Sequence, residues 1–168
     1  DLIQVGTIDT TTAHGESSSA FYELLPDNAR AITHFAITPG DSMSASLSEV
    51  TTNIWKITIT DVTTGQTYTT TKAYNSSGST AEWIEEDPSA SVGGQPIPLD
   101  TFTPVSFTQG NVTGLNTNNT YTTLTIAGSN AQPITLVSLS GQTATPVVTP
   151  SVLGSDGESF TVTESPTN

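Results

Sequence analysis

The sequence contains no cysteine, and this absence removes disulfides, thiolate nucleophiles, iron–sulfur clusters and every zinc site built on sulfur. Only two histidines are present, His14 and His34, too few for most transition-metal sites made from protein ligands alone. Basic side chains are nearly as scarce: three Lys and Arg stand against sixteen Asp and Glu in 168 residues, a formal net charge of -13. Such a surface repels nucleic-acid phosphates and anionic lipid, so neither a nucleic-acid nor a membrane partner is expected. No apolar run approaches the ~18 residues that span a bilayer. An apolar stripe at helical spacing is missing as well; only Leu24 to Arg30 could make one turn, and Pro26 and Asn28 limit it.

What is abundant is Ser and Thr, about a third of the chain, a neutral hydroxyl surface that hydrogen-bonds water at any pH. With every carboxyl protonated the side chains carry at most five positive charges, both histidines included, so acid costs the fold little repulsion. Composition therefore points to a secreted, extracellular protein adapted to an acidic environment. An acidic, Thr-rich surface module has the same composition.

Alternation with a period of two runs through most of the chain. Trp55, Ile57 and Ile59 alternate with Lys56, Thr58 and Thr60, a Gly-containing turn follows at Val62 to Gln66, and Thr67 to Ala73 resumes the pattern, which predicts a hairpin. Further strands are expected at Leu2 to Ile8, Ala20 to Leu25, Ile32 to Thr38, Ser42 to Val50, Thr80 to Glu86, Phe102 to Thr108, Tyr121 to Ile126, Ile134 to Ser140, Thr143 to Val148 and Ser159 to Glu164. About a dozen short strands without a long helix make an all-β protein, an antiparallel two-sheet β-sandwich or barrel, in a single domain over 1–168. The longest expected loop is Asp87 to Pro98. Trp55, Ile57, Ile59 and Phe107 are the candidate core.

A Ser–His triad is a poor reading, since no Gly-x-Ser-x-Gly elbow accompanies either histidine and an imidazole is protonated in acid. Metal and cofactor are not expected: the acidic groups Asp156/Glu158 and Glu85-Glu86-Asp87 do not have the spacing of an EF-hand loop. The acidic run does follow the alternating segment Thr80-Ala81-Glu82-Trp83-Ile84, and alternation puts Glu82, Ile84 and Glu86 on one face, opposite Trp83.

The string Ser79-Thr80-Ala81-Glu82-Trp83-Ile84-Glu85-Glu86-Asp87-Pro88 resembles the Ala-Glu-Trp-Ile signature of the glutamic peptidases, or eqolisins, whose catalytic Glu precedes the Trp. Collinear with it, Ile3-Gln4-Val5-Gly6-Thr7 resembles the segment of the catalytic Gln, and Phe21-Tyr22-Glu23-Leu24-Leu25-Pro26 the family's Trp-Tyr-Glu…Pro strand, with Phe21 where Trp is usual. Ile59 to Gln66, Phe102 to Thr108 and Leu153 to Phe160 resemble its hairpin, later strands and terminal turn. The resemblance implies a concanavalin-like, eqolisin-type sandwich and an acid endopeptidase with Gln4 and Glu82 as catalytic dyad. Glu23, Glu86, Asp9 and Tyr22 would support the site or bind a protein or peptide substrate. The family's Asp four residues after the catalytic Gln is Ile8 here, so Asp9 would reach that role through a local bulge.

The family also carries strands and a Trp-Val-Gly-Ile-Asp-Gly stretch upstream of its catalytic Gln. The resemblance therefore implies that 1–168 is a heavy-chain-like portion lacking its N-terminal strands, completed by a non-covalently bound N-terminal light chain of the same precursor. Three other readings stay open from sequence: a carbohydrate-binding β-sandwich module without hydrolytic activity, a glycosidase, which would need a second carboxylate where the dyad has an amide, and an inactive structural relative.

Overall fold

The computed structural model describes residues 1–87, 99, 101–140 and 142–165. They fall into two compact units, 1–79 with 99, and 80–87 with 101–165.

The first unit opens with a long hairpin, β1 (Ile3–Thr12) and β2 (Gly15–Leu24), paired without interruption from Ile3↔Leu24 to Thr12↔Gly15, and β2 also pairs with the short β3 (Arg30–Ala31). The hairpin extends past the expected ends of both strands because Gly15, at φ 115°, allows a tight turn after Ala13 and His14. The expected strand Ile32 to Thr38 does not form. His34 sits at φ 63°, in the left-handed region that ends an extended run. A second antiparallel sheet follows, β4 (Met43–Thr51), β5 (Ile54–Asp61) and β6 (Thr67–Ala73), with β5 in the middle.

Alternation in β5 gives this unit its core. Ile57 and Ile59 are fully buried against Ala20 and Tyr22 of β2, with Ile32 and Phe35 closing the cluster and Ile3, Val5, Leu24, Leu47 and Tyr68 packed around it. The two sheets thus pack face to face, and the Tyr22 and Tyr68 rings stack across the gap with centroids 6.3 Å apart. Trp55 is half-buried on the same face as Ile57 and Ile59. The opposite face of the β5–β6 ladder shows Thr pairs: Thr58 and Thr69 hydroxyls lie 3.2 Å apart, Thr60 and Thr67 3.0 Å.

Asp61 ends β5 and is buried. It accepts from the Thr63 and Thr64 backbone N–H groups and from the Thr64 hydroxyl, which fixes the turn into β6. The Thr64 hydroxyl bond is the largest influence on its carboxyl and, with the backbone donors, holds its pKa below the usual aspartate value; burial works the other way.

In the second unit β7 (Val105–Phe107) pairs with the last strand β12 (Phe160–Glu164), which continues through β11 (Thr143–Pro150) to β10 (Leu136–Ser140). β8 (Asn111–Leu115) and β9 (Tyr121–Thr125) form a separate hairpin followed by a 3-10 turn at Ala127–Ser129. Val148, Val162 and Ile126 are buried, and Phe107 is half-buried, its ring stacked on Phe160 at 4.9 Å. Gly110 lets β8 begin against Ile126: a Cβ there would stand 2.5 Å from the Ile126 Cδ1 atom. Asp156 holds the terminal turn by accepting from the Glu158 and Ser159 N–H groups and the Ser159 hydroxyl, and its pKa is lowered, chiefly by the Glu158 N–H.

Candidate active site

Register decides which β1 and β2 side chains share a face. Ile3, Val5, Ala20, Tyr22 and Leu24 point into the core, so Gln4, Gly6, Phe21 and Glu23 stand on the other side of the sheet. Gln4 is directly opposite Glu23, both are half-buried, and the Gln4 Nε2 donates to Glu23 Oε2 at 2.6 Å. An ionised carboxylate can only accept, so this bond selects the amide orientation that presents NH2 to Glu23 and turns the carbonyl oxygen away. A primary amide has two N–H donors. Glu23 takes one, and the second has no partner among the described residues.

Asp9 and Tyr22 do not join this pair. The β1–β2 ladder has no bulge, so Asp9 pairs with Ser18 and stands on the sheet face opposite Gln4, five residues along the strand. Without the bulge nothing brings its carboxylate to the amide. Tyr22 belongs to the core face, stacked on Tyr68 and covered by Lys72.

Glu82 lies in the second unit, in a segment, 80–87, that enters no strand ladder. The expected strand Thr80 to Glu86 joins no ladder among the described residues, yet its burial keeps a period of two: Glu82, Ile84 and Glu86 are exposed, while Trp83, Glu85 and Asp87 are half-buried. The Glu82 side chain is therefore open to solvent. Asp87 Oδ1 is buried with no hydrogen-bond partner among the described residues. Beyond Asp87 the expected loop to Pro98 lies outside the described residues but for an isolated position, 99, that follows it. Among the described residues no cluster of three His, Asp or Glu could hold a metal ion. No described helix is long and apolar enough to cross a membrane.

Residues 1–153 match the family model of the Peptidase A4 family. Aspergillopepsin-2 of Aspergillus niger is 31% identical over 117 residues, which is 67% of this chain and 40% of that protein, so the chain spans two fifths of the length of this curated relative. Among solved structures, aspergilloglutamic peptidase from Aspergillus niger superposes with a TM-score of 0.76 at 24% identity, over 97% of this chain and 89% of that one. Scytalido-glutamic peptidase, solved with a transition-state analogue inhibitor, gives 0.70 at 22% identity, over 97% and 75%. The shared fold is an all-β, antiparallel, multi-sheet β-sandwich.

Proposed function

This chain belongs to the Peptidase A4 family, the glutamic peptidases, and from that membership we propose that it is an acid endopeptidase with Glu82 as general base and Gln4 as oxyanion donor. The observation that carries the reading is the Gln4 amide held by Glu23 on the sheet face away from the core. Glu82, as carboxylate, removes a proton from water while the water oxygen attacks the scissile carbonyl. The developing oxyanion accepts the free N–H of Gln4, a donor that needs no ionisation and so works in acid. Glu82 then returns its proton to the amine nitrogen, the C–N bond breaks, and the carboxylate is regenerated. A carboxyl serves here where histidine would not, because its pKa lies near an acidic working pH. Glu86, four residues on along the same exposed face, tunes the charge around Glu82.

The substrate is an extended protein or peptide, met outside the cell in acidic surroundings. The reading includes one catalytic domain over 1–168 and a non-covalently held N-terminal light chain as the partner that the family resemblance implies. Incubation of the purified protein with denatured protein in acid tests the function: peptides released by the wild type and not by Glu82→Gln support it, and release unchanged by Glu82→Gln overturns the assignment of the base. Denaturing mass spectrometry of active material tests the light chain, which a single species of 17.5 kDa would refute.

A further inference from the structure

Three cationic side chains are all this sequence has, and two of them, Arg30 and Lys72, line one groove in the first unit. Register brings them there. Arg30 pairs with Tyr22 across β2 and β3, so it shares the core-side face of its sheet; Lys72 pairs with Trp55 across β5 and β6, on the face of Ile57, Ile59 and Tyr68. Because these two faces are the ones that pack together, both cations point into the gap where the core opens at its end. Lys72 Nζ sits 5.3 Å above the Tyr22 ring, and among the described residues no carboxylate lies within ion-pair distance of it. Arg30 has only Asp27, exposed and at 3.4 Å, longer than the 2.7–2.9 Å of a strong charge-assisted bond.

The groove, of about 290 Å³, is otherwise walled by Tyr22, Leu24, Leu25, Pro26, Ala73 and Tyr74, with the Asp27 carboxylate beside Arg30. That volume is at the small end of the roughly 300–1,000 Å³ of small-molecule sites. Its wall is braced: the Tyr74 hydroxyl accepts from the Leu2 N–H at 2.8 Å and donates to the Leu25 carbonyl at 3.0 Å. In a chain with sixteen carboxylates, the two cations share this groove with one, Asp27, whose contact to Arg30 is long, and Lys72 has no carboxylate partner among the described residues. We infer that this groove binds an ionised carboxylate attached to an apolar group, the carboxylate between Lys72 and Arg30 and the apolar part against Leu24, Leu25, Pro26 and the tyrosine rings. Such a ligand is the C-terminal residue of a peptide or a free organic acid. The inference does not rest on peptide hydrolysis, since the groove is on the opposite side of the β1–β2 sheet from Gln4.

Calorimetric titration of the full chain at about pH 6, where an aliphatic carboxylate is ionised, tests it with N-acetyl-leucine and its amide. The acid should bind and the amide should bind about tenfold more weakly or not at all, the order expected when a charge-assisted contact is lost. Lys72→Met and Arg30→Gln should each weaken the acid about tenfold, while Lys56→Met, the third cation, exposed and on the outer face of β5, should leave it unchanged. Acid and amide binding alike on the wild type would overturn the inference whether or not a variant folds. So would an effect of Lys56→Met equal to that of Lys72→Met, which would mean diffuse attraction to charge. Titration with 4-methylpentanoate separates the sources: weaker binding than N-acetyl-leucine assigns a peptide terminus, equal binding a free acid.

Discussion

Glu23→Ala leaves Gln4 in place and removes what aims it. The bond is 2.6 Å long and half-buried, and with a carboxylate as acceptor it belongs to a class worth about 1.5–3 kcal/mol. Since about 1.4 kcal/mol is a factor of ten, that bias keeps the inverted amide below roughly one molecule in ten. With Glu23 gone both amide orientations are populated about equally and the side chain is free to swing, so kcat should fall at least about twofold. The loss is bounded above by removal of the donor itself: Gln4→Ala should cost about 2.7–4 kcal/mol of transition-state stabilisation, or 10²–10³ in kcat. KM should hardly move, because the oxyanion contact exists only in the transition state. The decisive variant is the double one. If Glu23 acts solely through Gln4, Gln4→Ala with Glu23→Ala is no slower than Gln4→Ala alone, and the coupling equals the whole effect of the Glu23 substitution. Steady-state kinetics on one peptide in acid, with thermal melts to show that each variant is folded, measure this. Losses that simply add, or a Glu23→Ala effect confined to KM, would refute the positioning argument.

Glu82→Gln should abolish turnover while leaving the melting temperature and circular dichroism of the wild type, because Glu82 is exposed; a parallel loss of structure would contradict that placement. Ile57→Ala should destabilise the fold by about 2–5 kcal/mol in denaturant titration, the range for truncating a fully buried Ile, and a loss under 1 kcal/mol would mean the two sheets close up freely. For Asp61 the folded pKa lies below the unfolded one, so its stabilisation is present above the unfolded value of about 3.9 and disappears as pH falls through the folded pKa. Asp61→Asn should therefore lower the melting temperature near neutrality, with the gap to wild type closing in strong acid; a gap that widens there would reverse the sign.

Local pattern made the central hairpin legible. Ile57 and Ile59 announce a buried face, and Gly65, at φ 77°, marks the turn. The same alternation around Glu82 is legible in burial, while no ladder forms there among the described residues, because a period of two reports which side chains face water and is silent on whether a neighbouring strand completes the ladder. The faces of Tyr22 and Asp9 have a related origin. Family motifs name residues in order along the chain, whereas the face each occupies depends on register, and without a bulge Asp9 stands on the face opposite Gln4. Gln4 and Glu23 could be named from motifs, yet their 2.6 Å contact needed the uninterrupted β1–β2 register. The cation groove had no sequence signal at all, as Arg30 and Lys72 are 42 positions apart and meet only because two sheets stack.

The hydroxyl pairs between strands carry a consequence for ionic strength. Thr58 with Thr69, Thr60 with Thr67, Ser106 with Thr161 and Thr113 with Thr123 join neighbouring strands through dipoles. Dipoles in contact are indifferent to the Debye length, which shrinks from about 10 Å at 0.1 M salt to about 3 Å at 1 M. A surface laced with Lys–Glu pairs loosens as salt screens them; this one has almost none to lose, and what added salt does screen is the mutual repulsion of its carboxylates. Brine should therefore tighten this protein where it would relax a more ordinary one.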